Sequence, residues 1–179
     1  MKKTQRIAIG GLLTAFSTVM IILAGIVPSG TFTFPAAAGI IIGILSFTAG
    51  KSYAWASFFI VALLSFVICP NKEASLCFTL FLGFYPLAKE LIEKLRLKPV
   101  QYVIKLLLFN ASAVTIYFLL LFVFSMPEDS FEFFGISVPG LFLLALNVVF
   151  LIYDLAITMF LMVYKEKINK FVTKINKRF

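Results

Sequence analysis

Two ionisable residues sit in stretches otherwise too apolar to hold a charge. Lys105 falls in "PVQYVIKLLLFNASAVTIYFLLLF" and Asp154 in "LFLLALNVVFLIYDLAITMFLMVY". A lone ion in hydrocarbon is costly, so such groups pair with one another or mark an ion path. Lys105 and Asp154 can neutralise each other across two helices, with Asn110 or Tyr153 in reach. A proton or ion relay is the functional alternative, although an acid with no second acid nearby makes a poor relay. A second polar set gathers at expected turns. "VPSGTFTFP" carries Thr31 and Thr33, and "CPNKEAS" carries Asn71, Lys72 and Glu73, with Tyr117 and Asn147 deeper in later apolar runs. Apolar walls with a few polar anchors are the usual make-up of a small-ligand site. Lys72 would be its cation, able to meet an anionic group. Each of these residues also has a plain use in loop capping, water contact or helix packing. A third set is steric. "GLLTA" places Gly11 and Ala15 four apart, with Thr18 following on nearly the same face, and "GIIIG" does the same with Gly39 and Gly43. Small residues let helices approach closely in a membrane. Such a stripe serves internal packing or receives another protein.

No catalytic constellation is present. The chain has no His and only two Cys, Cys69 and Cys77, too few for a thiolate metal site. No nucleophile–base pair, carboxylate pair or phosphate-binding Gly loop is recognisable. The chain is therefore expected not to be an enzyme, and to need no cofactor or metal. Both cysteines fall near one face, where a disulfide is geometrically possible and buried free thiols are expected.

The elements that must position these residues follow from composition. Of 179 residues, 61% are hydrophobic and 13% charged, more apolar surface than a soluble domain of this size can hide. Segments of about 20 apolar residues are long enough to cross a bilayer. Six are expected, near residues 7–27, 32–49, 52–69, 73–87, 101–125 and 136–164. The class is all-α, a single-domain integral membrane bundle of six transmembrane helices. The first segment, with its basic start, could be read as a signal peptide. Its apolar run is too long and "LAGIVPSG" is a poor cleavage site, so retention is expected.

With the N-terminus inside, 15 of the 16 basic residues fall on inner segments, leaving Lys72 outside with Glu73, Glu128, Asp129 and Glu132. Basic residues accumulate on the cytoplasmic side, so both termini are expected there. The net charge of +8 is then topology rather than a nucleic-acid footprint. "GFYPLAKELIEKLRLK" follows the fourth span. Pro86 should bend or end that span. Beyond it Leu87, Leu91, Ile92 and Leu95 share one helical face, and Lys89, Glu90, Glu93, Lys94 and Arg96 the other. That pattern predicts an amphipathic helix in the inner interface, an anchor or a docking surface. The tail "YKEKINKFVTKINKRF" repeats it, with Ile168, Phe171, Val172 and Ile175 amid lysines, a basic helix suited to anionic lipid.

Size, six spans with both ends inside, the basic start and small residues of "RIAIGGLLTAFSTVM", and a Pro- and Gly-bearing first loop before a small-residue second span together form a pattern. It resembles the substrate-binding S components of energy-coupling factor (ECF) transporters, prokaryotic importers of vitamins and trace nutrients. The likeness is one of full-length layout. The family's alanine-x-x-x-alanine signature would fall on Gly11 and Ala15, a departure that keeps the groove narrow-walled. The resemblance implies substrate binding outside, under the first loop and among the outer ends of spans four to six. It implies that the Gly11/Ala15 face docks on a transmembrane coupling subunit, that two cytoplasmic ATPases drive the cycle, and that the chain sits in a prokaryotic plasma membrane. Two other readings stand beside it. One is a small structural or assembly membrane protein, expected to be closed on its outer side. The other is a self-sufficient carrier or channel, expected to show inverted repeats or helices broken near the midplane. No convincing repeat is visible, and the prolines fall at expected span ends.

Overall fold

The computed structural model describes residues 3–122 and 139–176, and every regular element among them is helical. Helix α1 runs Lys3–Ile26, followed by a 3-10 turn at Pro28–Gly30. Then come α2 (Thr33–Thr48), α3 (Lys51–Ile68), α4 (Lys72–Cys77), a π turn (Phe78–Leu82), α5 (Tyr85–Ile92), α6 (Lys98–Phe122) and α7 (Pro139–Asn176). Five segments are long and apolar enough to cross a membrane: α1, α3, the continuous Lys72–Ile92 segment, α6, and Leu143–Tyr164 of α7. The protein is a multi-pass membrane protein on that ground. The expected loop acids Glu128, Asp129 and Glu132, the fifth span beyond Phe122 and the sixth before Pro139 lie outside the described residues. So do the side chains of Ile168, Phe171, Val172 and Ile175.

Helix α2 has only 16 residues, about 24 Å of rise, short of a hydrocarbon core of about 30 Å. It is also the centre of the bundle, packed by α1, α3, α5, the π turn and α7. Its small residues make that position possible. Gly39 and Gly43 are both buried. A Cβ on Gly39 would stand 2.0 Å from the Leu82 carbonyl oxygen, and one on Gly43 would stand 3.0 Å from Pro86. The "GIIIG" stripe is therefore an internal seat for the Lys72–Ile92 segment.

That segment explains the seat. Asn71 starts it, its side-chain oxygen accepting the Ala74 amide at 3.1 Å, an ordinary N-cap. Gly83 donates to the Phe78 carbonyl at 2.7 Å, which closes the π turn. Pro86 has no N–H to offer the Leu82 carbonyl four residues back, and this freed oxygen lies against the bare Cα of Gly39. Backbone groups released within a membrane must be enclosed by protein, and α2 encloses this one.

Pro86 does not stop the segment. It occupies the first turn of α5, where the fixed φ of proline suits a helix start. The expected amphipathic helix is corrected in its faces. Leu87, Lys89 and Ile92 are buried together in the bundle, whereas Leu91 and Leu95 are exposed. Lys89 thus points inward, toward Asp154. Gly50 turns α2 into α3 with φ at +111°, a left-handed conformation that favours glycine.

Candidate functional site

The polar residues expected at one end of the bundle are positioned mainly by helix ends. Asn71, while capping α4, donates through Nδ2 to Thr31 Oγ1 at 3.3 Å, so the first and third connections touch. Lys72 Nζ donates to the Phe66 and Cys69 carbonyls at 2.8 and 3.2 Å, a cation closing the C-terminus of α3. Glu73 lies half-buried in the first turn of α4, and Thr33 is exposed at the start of α2. Asn147 is matched to Asn110 in a reciprocal amide pair joining α7 to α6, with N–O distances of 2.9 and 3.0 Å. Tyr117 lies on α6 beside Phe118, their ring centroids 5.7 Å apart. Cys69 and Cys77 are buried free thiols, and Cys69 Sγ lies 3.3 Å from the Ile21 carbonyl.

The Gly11 face of α1 differs sharply from the Gly39 face of α2. No heavy atom lies within 4 Å of a Cβ added at Gly11. Gly11 and Ala15 are exposed and Thr18 is half-buried. They line an open groove of about 410 Å³ between α1 and α3, with Thr14, Tyr53 and Ser57 on its walls. Its threonine and serine hydroxyls are engaged within and between the two helices. The Thr14 hydroxyl donates to the Gly10 carbonyl at 2.7 Å, and the Ser57 hydroxyl lies 2.7 Å from Thr14 Oγ1. A second groove, about 470 Å³, is lined by Trp55, Phe58, Phe59, Phe66, Thr79 and Phe84 among others. Neither groove includes Thr31, Thr33, Asn71, Lys72, Glu73, Tyr117 or Asn147.

The most elaborate polar construction centres on Asp154. Lys105 Nζ lies 3.1 Å from Asp154 Oδ2, the pairing the sequence suggests. Three residues of the α5 region join it. The Tyr85 hydroxyl donates to Asp154 Oδ1 at 2.6 Å. Lys89 is ion-paired with the same carboxylate, and its Nζ also donates to the Asp154 backbone carbonyl at 3.1 Å. Glu93 completes the set, 3.1 Å from Lys89 and 2.8 Å from Lys105. Two cations meet two carboxylates, so the cluster is neutral. Lys89, Lys105 and Asp154 are at most 5% exposed, and Glu93 is the member open to solvent. Beside it Phe109 and Phe150 stack at 4.7 Å, and Phe81 and Tyr85 lie 4.8 Å apart. This packing keeps the ions dry, and in a dry site each charge depends strongly on its partners.

The spacing of Lys89 and Glu93 predicts their pairing, but not that they and Tyr85 join Asp154 and Lys105, because a helical wheel puts Lys89 on the solvated face. The available signal is the spacing of Tyr85, Lys89 and Glu93, each four residues from the next and so on one helical face. Asn110, expected near this cluster, instead pairs with Asn147. The Tyr153 and Thr79 hydroxyls are buried with no hydrogen-bond partner among the described residues. Also among these residues, no three His, Cys, Asp or Glu side chains come together as a metal-ligand group. Comparison of the chain with protein-family models, characterised proteins and solved structures finds no match.

Proposed function

We propose that this chain is the substrate-binding subunit of an ECF-type importer. On this reading it crosses a prokaryotic plasma membrane six times, α2 supplying the short sixth crossing, with both termini and the α5–α6 connection in the cytoplasm. It takes up a vitamin or related small nutrient at the outer end. It passes the nutrient on by docking to a transmembrane coupling subunit served by a pair of ATPases. The observation that carries the proposal is the vacancy beside α1. The bundle uses Gly39 and Gly43 for its own packing but leaves Gly11 and Ala15 facing outward. A small-residue face not used at home is available to a helix of another subunit. The distribution of 15 basic residues to one side supports the same orientation. Thr31, Thr33, Asn71, Lys72, Glu73, Tyr117 and Asn147 are the proposed outer polar set. One observation favours the structural or assembly alternative: Asn71 and Lys72 are already engaged in helix capping.

The two readings separate in one experiment. The full chain is purified in detergent, alone and co-expressed with a coupling module, and a vitamin panel is screened by thermal shift. The proposal expects one nutrient to raise the melting temperature of the solitary chain. It also expects Gly11→Leu with Ala15→Leu to keep that shift while losing co-purification and uptake. A chain that binds no nutrient and captures no module is not an importer subunit. Loss of folding in the double variant would mean that this face packs internally.

A further inference from the structure

The connection between α5 and α6 carries charge that the bundle does not use. All eight residues from Glu93 to Val100 are exposed. Among the described residues no carboxylate lies within ion-pair distance of Lys94, Arg96 or Lys98, since Glu93 and Glu90 are taken up by Lys89, Lys105 and Lys51. The Lys51 ammonium in contact with Lys94 holds that group below the ordinary lysine range. Interspersed with these cations, Leu91, Leu95 and Leu97 are 43–63% exposed. The turn has a fixed shape. Gln101 Nε2 donates to the Leu95 carbonyl at 2.7 Å and the Glu93 carbonyl at 3.3 Å, drawing α6 back over the end of α5.

We propose that this elbow binds an anionic phospholipid, its phosphodiester held by Lys94, Arg96 and Lys98 and its acyl chains lying on Leu91, Leu95 and Leu97. Charge complementarity and continuity single out that occupant. A surplus of fixed cations attracts anionic headgroups, and leucines beside them enter the headgroup–acyl boundary. The exposed leucines run on into Val100, Val103 and Leu107 of α6, also exposed, so the surface continues along a membrane-crossing helix. A soluble anion would meet the cations but leave the leucines in water.

The test uses the full chain reconstituted in nanodiscs, with native mass spectrometry of bound lipid and thermal melting as readouts. Phosphatidylglycerol is expected to remain bound and to raise the melting temperature above that in pure phosphatidylcholine. Lys94→Gln, Arg96→Gln and Lys98→Gln together should lower phosphatidylglycerol affinity about fivefold per cation removed. Their melting in phosphatidylcholine should change little, because no described carboxylate lies within ion-pair distance of them. A charge-matched control, Lys2→Gln with Lys3→Gln and Arg6→Gln, should retain the lipid. Equal loss in the control would show delocalised attraction and overturn the site. So would an equal shift from inorganic phosphate, since the leucines would then contribute nothing. If the elbow variant keeps its lipid but loses a co-purifying subunit, the surface belongs to a protein and the proposal fails.

Discussion

Asp154→Leu is expected to be the most damaging single change to the bundle. The carboxylate, on α7, meets Lys89 and the Tyr85 hydroxyl from α5 and Lys105 from α6. Removing it leaves two buried ammonium groups sharing Glu93, a residue partly open to solvent. Taking one partner from a buried ion pair costs about 3–5 kcal/mol, because the remaining charge is stranded. The loss should fall on the joint between α5 and the α6–α7 pair. Asp154→Asn should cost less, since its amide oxygen can still accept from Tyr85. The diagnostic variant is Asp154→Leu with Lys89→Met, which removes one charge of each sign and leaves Lys105 balanced by Glu93. Thermal unfolding of detergent-purified protein should rank native above the double variant, and the double variant above Asp154→Leu. A double variant no better than the single one would mean that stranded charge is not the cause.

Gly39→Ala is expected to come second. Alanine normally favours a helix over glycine by about 1 kcal/mol. Here its Cβ would lie 2.0 Å from a carbonyl oxygen of Leu82, a backbone atom with no rotamer to turn aside. Overpacking typically costs about 1–3 kcal/mol, and a rigid opponent places this case at the upper end, so the clash outweighs the propensity. Gly11→Ala supplies the contrast, having open space at the same distance. The melting temperature should fall clearly for Gly39→Ala and stay level or rise for Gly11→Ala. Equal behaviour of the two would contradict the assignment of one glycine to internal packing and the other to an open face.

Much of the architecture is legible in hydropathy because a bilayer demands long apolar helices. The apolar helix expected at 32–49 is found at Thr33–Thr48, though too short to count as a span, and the span expected at 52–69 is found at Lys51–Ile68. The pairing of Lys105 with Asp154 is equally readable, since few ionisable residues occur within spans and stranded ones are costly. What local pattern cannot show is which neighbour a residue meets. Pro86 is expected to bend or end the span; the helix is interrupted at Gly83–Phe84 and restarts at Tyr85, with the Leu82 carbonyl lying against α2. Lys89 looks solvated because its partner lies 65 positions away. The outer polar residues carry no mark distinguishing a ligand contact from a helix cap, and for Asn71 and Lys72 the caps are what the structure displays. Gly11 and Gly39 belong to indistinguishable motifs, and only the packed bundle separates the covered stripe from the open one.

The orientation on which the importer proposal rests is tested most directly by cysteine labelling from each side of the membrane. With Cys69 and Cys77 replaced by alanine, single cysteines are introduced at the exposed Ser29, in the 3-10 turn, and at the exposed Arg96, in the α5–α6 elbow. An impermeant maleimide applied to intact cells should label Ser29→Cys and leave Arg96→Cys unmodified, with the pattern reversed in inverted vesicles. Labelling of Arg96→Cys from the cell exterior, or of both positions from one side, would contradict it.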